Sequence, residues 1–217
     1  IQRLLVNLVV NAPIFITLLL TFGIELLLVN ALLIMYKGDL RGIPTSYAAT
    51  GIALPLGVYV PVGRLLAFGV AVAVTLALVA FITRTRTGMA ILATGMDRGA
   101  ARLMGIRAAH VYALTFGLAA ALAGVAGAMI GTTGSFSPAS AGTFTLFSFV
   151  IAVLGGLGNM YGALLGGLLI GLVEAWGGQY LSTTLVNAFA FGALVLVLIF
   201  RPRGLVGRAY YDVRQEV

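Results

Sequence analysis

The chain has 217 residues, of which 61% are hydrophobic and only 9% charged, and its mean hydropathy is +1.11. Soluble domains carry about 25% charged residues, and so few charges cannot cover the surface of a water-soluble fold of this length. The chain therefore reads as an all-α integral membrane protein. Its net charge of +7 is the cytoplasmic Lys/Arg excess of such a protein, not the mark of a nucleic-acid partner.

Charged residues punctuate the spans. Between Arg3 and Lys37 an apolar stretch is broken only by Glu25, and it is long enough for one helix of about 20 residues. Pro13 suits the first turn of that helix, where a missing N–H costs little. Residues 37–63 mix Pro44, Pro55, Pro61 and several glycines, which predicts a loop with one short interfacial or partly inserted piece. Leu65 to Thr83 predicts a second span. Residues 84–107 form the one long polar stretch. His110 to Ile130 predicts a third span, and residues 132–142 a loop. Two shorter apolar pieces follow, Phe144 to Leu154 and Leu164 to Val173, around a Gly-rich turn at 155–162; neither is comfortable as a full span alone. Thr184 to Phe200 predicts the last span, and residues 201–217 a polar tail.

Sidedness follows from the positive-inside rule. With Arg3, residues 84–107 and the tail on one side, that side holds Arg3, Arg84, Arg86, Arg98, Arg102, Arg107, Arg201, Arg203, Arg208 and Arg214. The other side holds Lys37, Arg41 and Arg64. This arrangement needs an even number of crossings between 143 and 183. Two short helices meeting at the Gly-rich turn supply it, as a full hairpin or as a re-entrant one whose backbone is buried by protein or water.

Small residues recur every four positions at Gly158-Gly162-Gly166, Gly167-Gly171, Ala119-Ala123-Gly127-Gly131 and Ala120-Gly124. Such rows let neighbouring helix backbones approach closely. Alternatively, the break around Gly155, Gly156 and Gly158 lets short helices shift or aims a helix end at a pathway. Asn159 is placed to cap a short helix. Glu25 and Asn30 lie inside the first span, where an ionisable group faces protein or water. Lining a pathway, meeting a partner subunit and being protonated all remain open for Glu25. Glu174 and Gln179 sit beside Trp176 and Tyr180, either as an interfacial anchor or at an external mouth. His110, at the end of a span, reads as an interface residue.

Enzymatic chemistry has little to work with. There are no cysteines and one histidine, so disulfides, a thiol nucleophile and a Cys- or His-rich metal site are excluded. The only lysine, Lys37, is followed by Gly38 and Asp39, so no phosphate-binding Gly-Lys-Ser/Thr exists. No clustered acids or nucleophile elbow is present. No cofactor and no metal are expected.

Within residues 84–107, Met89, Leu92 and Met96, then Leu103 and Ile106, recur at helical spacing. One or two short amphipathic helices on the cytoplasmic surface are predicted. They could touch anionic headgroups or dock a soluble partner.

Residues 87–107 (TGMAILATGMDRGAARLMGIR), the following VYALTFGLAAALAGVAG, the later SFVIAVLGGLGNMYGALLGGLLIGLVEA and the closing FRPRGLVGR closely resemble the permease subunits of ABC importers for branched-chain amino acids, of the LivH type. The match is most specific from Arg84 to Arg208. Because Ile1 is not a methionine and family members begin with further spans, residues 1–217 are expected to be one transmembrane permease domain forming the C-terminal part of a longer permease. The resemblance implies a polytopic helix bundle in a bacterial or archaeal plasma (inner) membrane, with residues 84–107 and the C-terminal tail cytoplasmic. It implies a second, homologous permease subunit in a heterodimer, two cytoplasmic ATPase subunits, an external substrate-binding protein and surrounding membrane lipid. It also favours the docking role of 84–107. The family's ATPase-contacting loop carries Glu-Ala-Ala with a Gly four residues after the second Ala. Ala100, Ala101 and Gly105 match, whereas Gly99 stands where the Glu would be, so Asp97 or Arg102 is left to supply a polar contact. A coupling helix ending near Gly105 is expected. The substrate implied is a branched-chain, apolar amino acid; urea, short amides and other amino acids lie within the same family, and a stand-alone channel or secondary transporter is the reading from outside it.

Overall fold

The computed structural model describes residues 14–44, 50–53, 59–156, 158–180, 183–201 and 204–206. Arg3, Pro13, Pro55, Arg203, Arg208 and Arg214 lie outside the described residues. Eight α-helices and one short hairpin appear among the described residues, and five helices are long and apolar enough to cross a membrane. The chain resolves into two compact units, residues 1–141 and 142–217.

The first unit begins with α1 (Ile14–Tyr36). Lys37 and Gly38 end it in the left-handed region, with φ 56° and 70°, and the Lys37 N–H closes back on Leu33 O at 2.8 Å. Past this turn, Arg41 exchanges backbone hydrogen bonds with Phe136 (2.9 and 2.8 Å), and Ile43 N–H donates to Gly131 O. Gly131 is small for that reason: a Cβ there would press on Phe136 and Ile43. The predicted loop of 37–63 contains a small antiparallel hairpin, β1 (Gly51–Ala53) with β2 (Tyr59–Pro61). Pro61 leads directly into α2 (Val62–Arg84).

The polar stretch folds as two short helices, α3 (Arg86–Met96) and α4 (Arg98–Leu103), before α5 (Ala108–Thr133). α3 packs on the adjoining ends of α2 and α5, and α4 on α3 and α5. A 3-10 turn at Pro138–Ser140 follows.

The second unit is α6 (Ala141–Gly155), α7 (Met160–Tyr180) and α8 (Thr183–Phe200). Its core is Val150, Leu154, Ile170 and Leu194, flanked by Phe147, Ile151 and Leu205. The expectation of two short pieces is corrected here. α7 runs 21 residues, and the segment from Pro138 to Gly155 spans 18, so both arms are long enough to cross. Gly162, read as the end of the Gly-rich turn, lies within the helix together with Gly166 and Gly167. Helical glycine is disfavoured by about 1 kcal/mol, and here close backbone packing outweighs that cost.

Candidate coupling elbow and glycine hairpin

The elbow at 84–107 is built by caps. Thr85 ends α2 and starts α3: its Oγ1 accepts from Gly88 N–H (3.0 Å) and donates to Phe81 O (2.7 Å). Gly88 sits at the crossing itself, and a Cβ there would overlap the backbone of Phe81 and Ile82. At the far end of α3 the pattern repeats. Asp97 Oδ1 accepts from Gly99 N–H (2.7 Å) and Ala100 N–H (3.0 Å), capping α4. Such a cap is worth about 1 kcal/mol. α4 ends on Gly105, φ 81°. Ile106 N–H donates to Ala101 O and Gly105 N–H to Arg102 O, both at 3.0 Å. This pair of bonds is the Schellman motif, which satisfies carbonyls that a helix end otherwise leaves unpaired.

These bonds set which side chains face outward. Ala101, Ala108, Val111, Ile82 and Thr94 are buried, and Thr94 Oγ1 is satisfied by Ala90 O. Met89, Leu92 and Met96, the apolar stripe read from the sequence, are on the exposed side, and Leu103 and Met104 are 90% and 82% exposed. Of the expected coupling residues, Asp97 spends its carboxylate on the cap, Ala101 lies beneath the helix, Ala100 and Arg102 are exposed, and Gly105 closes the end. Arg98 turns inward, its guanidinium 5.3 Å from the ring centre of Tyr112 on α5.

In the second unit the glycine row makes the α6–α7 crossing. A Cβ on Gly155 would overlap the carbonyl of Gly162, and one on Gly162 the carbonyl of Gly155. One on Gly166 would lie 2.8 Å from Ile151 O. Gly156 and Gly158 take φ of 100° and 85° and turn the chain. Asn159 caps α7 as expected, its Oδ1 accepting from Gly162 N–H at 3.1 Å. Gly158, by contrast, meets nothing within 4 Å, and neither do Gly124, Gly127 and Gly171. Of the small-residue rows, only Gly131, Gly162 and Gly166 have close neighbours within their own units.

Glu25 lines a groove of about 300 Å³ with Thr21, Ile24, Leu28, Val29, Leu32 and Phe116. Asn30 bonds within its own helix, Nδ2 to Leu26 O at 2.8 Å. Glu174 and Trp176 are exposed on α7. No cluster of three metal-ligating side chains occurs among the described residues. Sequence reasoning missed Thr85 and Gly88; the Thr-x-x-Gly spacing of an N-cap was the available signal. It also missed Gly204–Val206, whose contacts are described below.

Five apolar spans, a capped polar elbow and a glycine-packed hairpin define a polytopic α-helical membrane protein. Within that class, the chain belongs to the branched-chain amino acid transport system / permease component family, whose family model matches residues 2–199. It is 37% identical over 190 residues to BraD, a high-affinity branched-chain amino acid transport system permease protein of Pseudomonas aeruginosa, covering 86% of this chain and 62% of that protein. It is 42% identical over 134 residues to the corresponding LivH of Escherichia coli, covering 61% of this chain and 44% of that one. A probable branched-chain amino acid transport permease of Methanocaldococcus jannaschii is 29% identical over 131 residues, covering 57% and 42%. The chain thus spans between two fifths and two thirds of the length of these relatives. No solved structure matches it.

Proposed function

We propose that the chain is the membrane-spanning part of a permease subunit in an ATP-driven importer for branched-chain amino acids. An external binding protein delivers the substrate, two cytoplasmic ATPases supply the energy, and a second, homologous permease completes the pathway as a heterodimer. The protein sits in a bacterial or archaeal inner membrane with residues 84–107 and the C-terminus cytoplasmic. The names of BraD and LivH support the substrate class. The chain carries no phosphate-binding lysine loop, so hydrolysis falls to the partner and its energy arrives mechanically. An ATPase gripping the elbow biases the bundle between two access states by its differential binding to them.

The observation that carries this reading is the tip of α4. Leu103 and Met104 stand 90% and 82% exposed on a helix fixed at both ends, by Asp97 and by Gly105. An apolar pair held outward at a capped helix end supports reading this tip as the ATPase contact. The test is co-purification of the full-length permease with its candidate ATPases, with and without residues 88–106. Binding that disappears on deletion supports the proposal; no association in either case removes it. Uptake of labelled leucine, urea and short amides by the reconstituted complex then checks the substrate, with preference for leucine expected.

A further inference from the structure

After α8 the chain does not leave the unit. The N–H groups of Leu205 and Val206 donate to Leu154 O (2.9 Å) and Gly155 O (3.3 Å), the last carbonyls of α6. A helix leaves its final carbonyls without partners of its own, and Leu205 and Val206 supply them from 51 positions further along the chain. Val206 O in turn accepts from Asn159 Nδ2 at 2.8 Å. Arg201 adds a bond from its guanidinium to Leu205 O at 3.1 Å. Gly204 (φ 78°) is buried, and a Cβ there would sit 2.6 Å from Gly156 N. Leu205 packs on the core formed by Val150, Leu154, Ile170 and Leu194.

Asn159 therefore does two things at once. Its Oδ1 caps α7, and its Nδ2 holds the segment after α8. It satisfies one N–H in the first turn of α7 and the carbonyl of Val206, groups that are costly to leave unpaired away from water. We infer that Asn159 is a positioning residue and that residues 204–206 are a strap locking the α6–α7 turn to the end of α8. The three helices then move as one body throughout the transport cycle. The cyclic part of this inference rests on the importer reading; the strap itself does not.

These 217 residues hold no cysteine, so thiol cross-linking needs only that any cysteine elsewhere in the full-length permease be replaced by serine first. Asn159→Asp keeps the acceptor that caps α7 and removes the donor to Val206, so the helix start survives. In the full-length permease in nanodiscs, amide exchange at Leu205 and Val206 is expected to rise about tenfold, the scale of one lost hydrogen bond, with α7 unchanged. In the complex with its ATPases, leucine uptake is expected to fall about tenfold while ATP hydrolysis continues. A flexible bismaleimide link between Met160→Cys and Val206→Cys leaves uptake normal in the wild-type background and restores it in Asn159→Asp. Unchanged exchange in Asn159→Asp overturns the strap. A link that by itself abolishes uptake overturns the single-body role, because the strap must then open. If the wild-type complex takes up no leucine, the importer reading fails and the exchange result still decides the strap.

Discussion

Gly105 gives the sharpest test of the elbow. Its φ of 81° lies where an L side chain is strained by roughly 1–2 kcal/mol, and no atom lies within 4 Å of a Cβ built there. The cost of substitution is therefore conformational and not steric. It also falls on a helix of six residues, far below the ~12–15 at which a helix is marginally stable alone, so α4 depends on its caps. Gly105→Asn, which tolerates the left-handed region, is expected to stay close to wild type. Gly105→Ala shifts the capped end about five- to thirtyfold toward fraying, the factor that 1–2 kcal/mol represents. Gly105→Val, branched at Cβ, is worst. Hydrogen exchange at residues 105 and 106, whose N–H groups close on Arg102 and Ala101, reads the fraying directly. Leucine uptake per ATP hydrolysed in the full complex reads its consequence, and the order Asn, Ala, Val should appear in both. Equal effects of the three substitutions would show that size or docking contact matters and backbone conformation does not. A Val variant with normal exchange and normal coupling would refute the reasoning outright.

Asp97 separates a cap from a charge: Asp97→Asn keeps an oxygen for Gly99 and Ala100 and should preserve ATPase binding, whereas Asp97→Ala costs α4 about 1 kcal/mol and raises exchange at those two amides. Gly162→Ala forces a methyl into the Gly155 carbonyl and should lower stability by about 1–3 kcal/mol or more, seen as a lower melting temperature in detergent; Gly171→Ala, with open space around it, should be neutral or mildly stabilising because alanine favours helix. Leu103→Ser with Met104→Ser removes the exposed tip and should abolish co-purification with the ATPases at unchanged melting temperature, since neither side chain is buried.

The spans were legible because lipid imposes a simple rule. Apolar runs of about 20 residues between charges have few alternatives, and the spans α1, α2 and α5 fall where charge punctuation puts them, as does the helix α8. The elbow was legible for a related reason. Residues 84–107 alternate polar and apolar positions at helical spacing, and Asp97 and Gly105 are residue types suited to a helix start and a helix end. Which face of α3 and α4 turns outward was not legible. Periodicity shows that Met89, Leu92 and Met96 share a face, but the usual inference that an apolar face packs inward fails here. Gly88 and Thr94 occupy the inner face, and at Gly88 the backbone of α2 leaves no room for a side chain.

Glycine was harder still, because its partner is never written beside it. Gly127 and Gly166 carry the same local signal, a small residue four positions from another. Yet Gly166 lies on the backbone of α6 while Gly127 meets nothing within 4 Å. The difference lies in what the chain brings alongside, and that is decided by residues far away. The strap makes the same point with hydrogen bonds. Asn159 reads as a cap from its position before Met160, and it is one. Its second bond reaches 47 residues along the chain to Val206, and no spacing rule links the two. What could be anticipated is the demand: the ends of α6 leave carbonyls that must be satisfied at a buried turn. A segment able to lie flat there needs a residue without a side chain at its closest approach, and Gly204 is that residue.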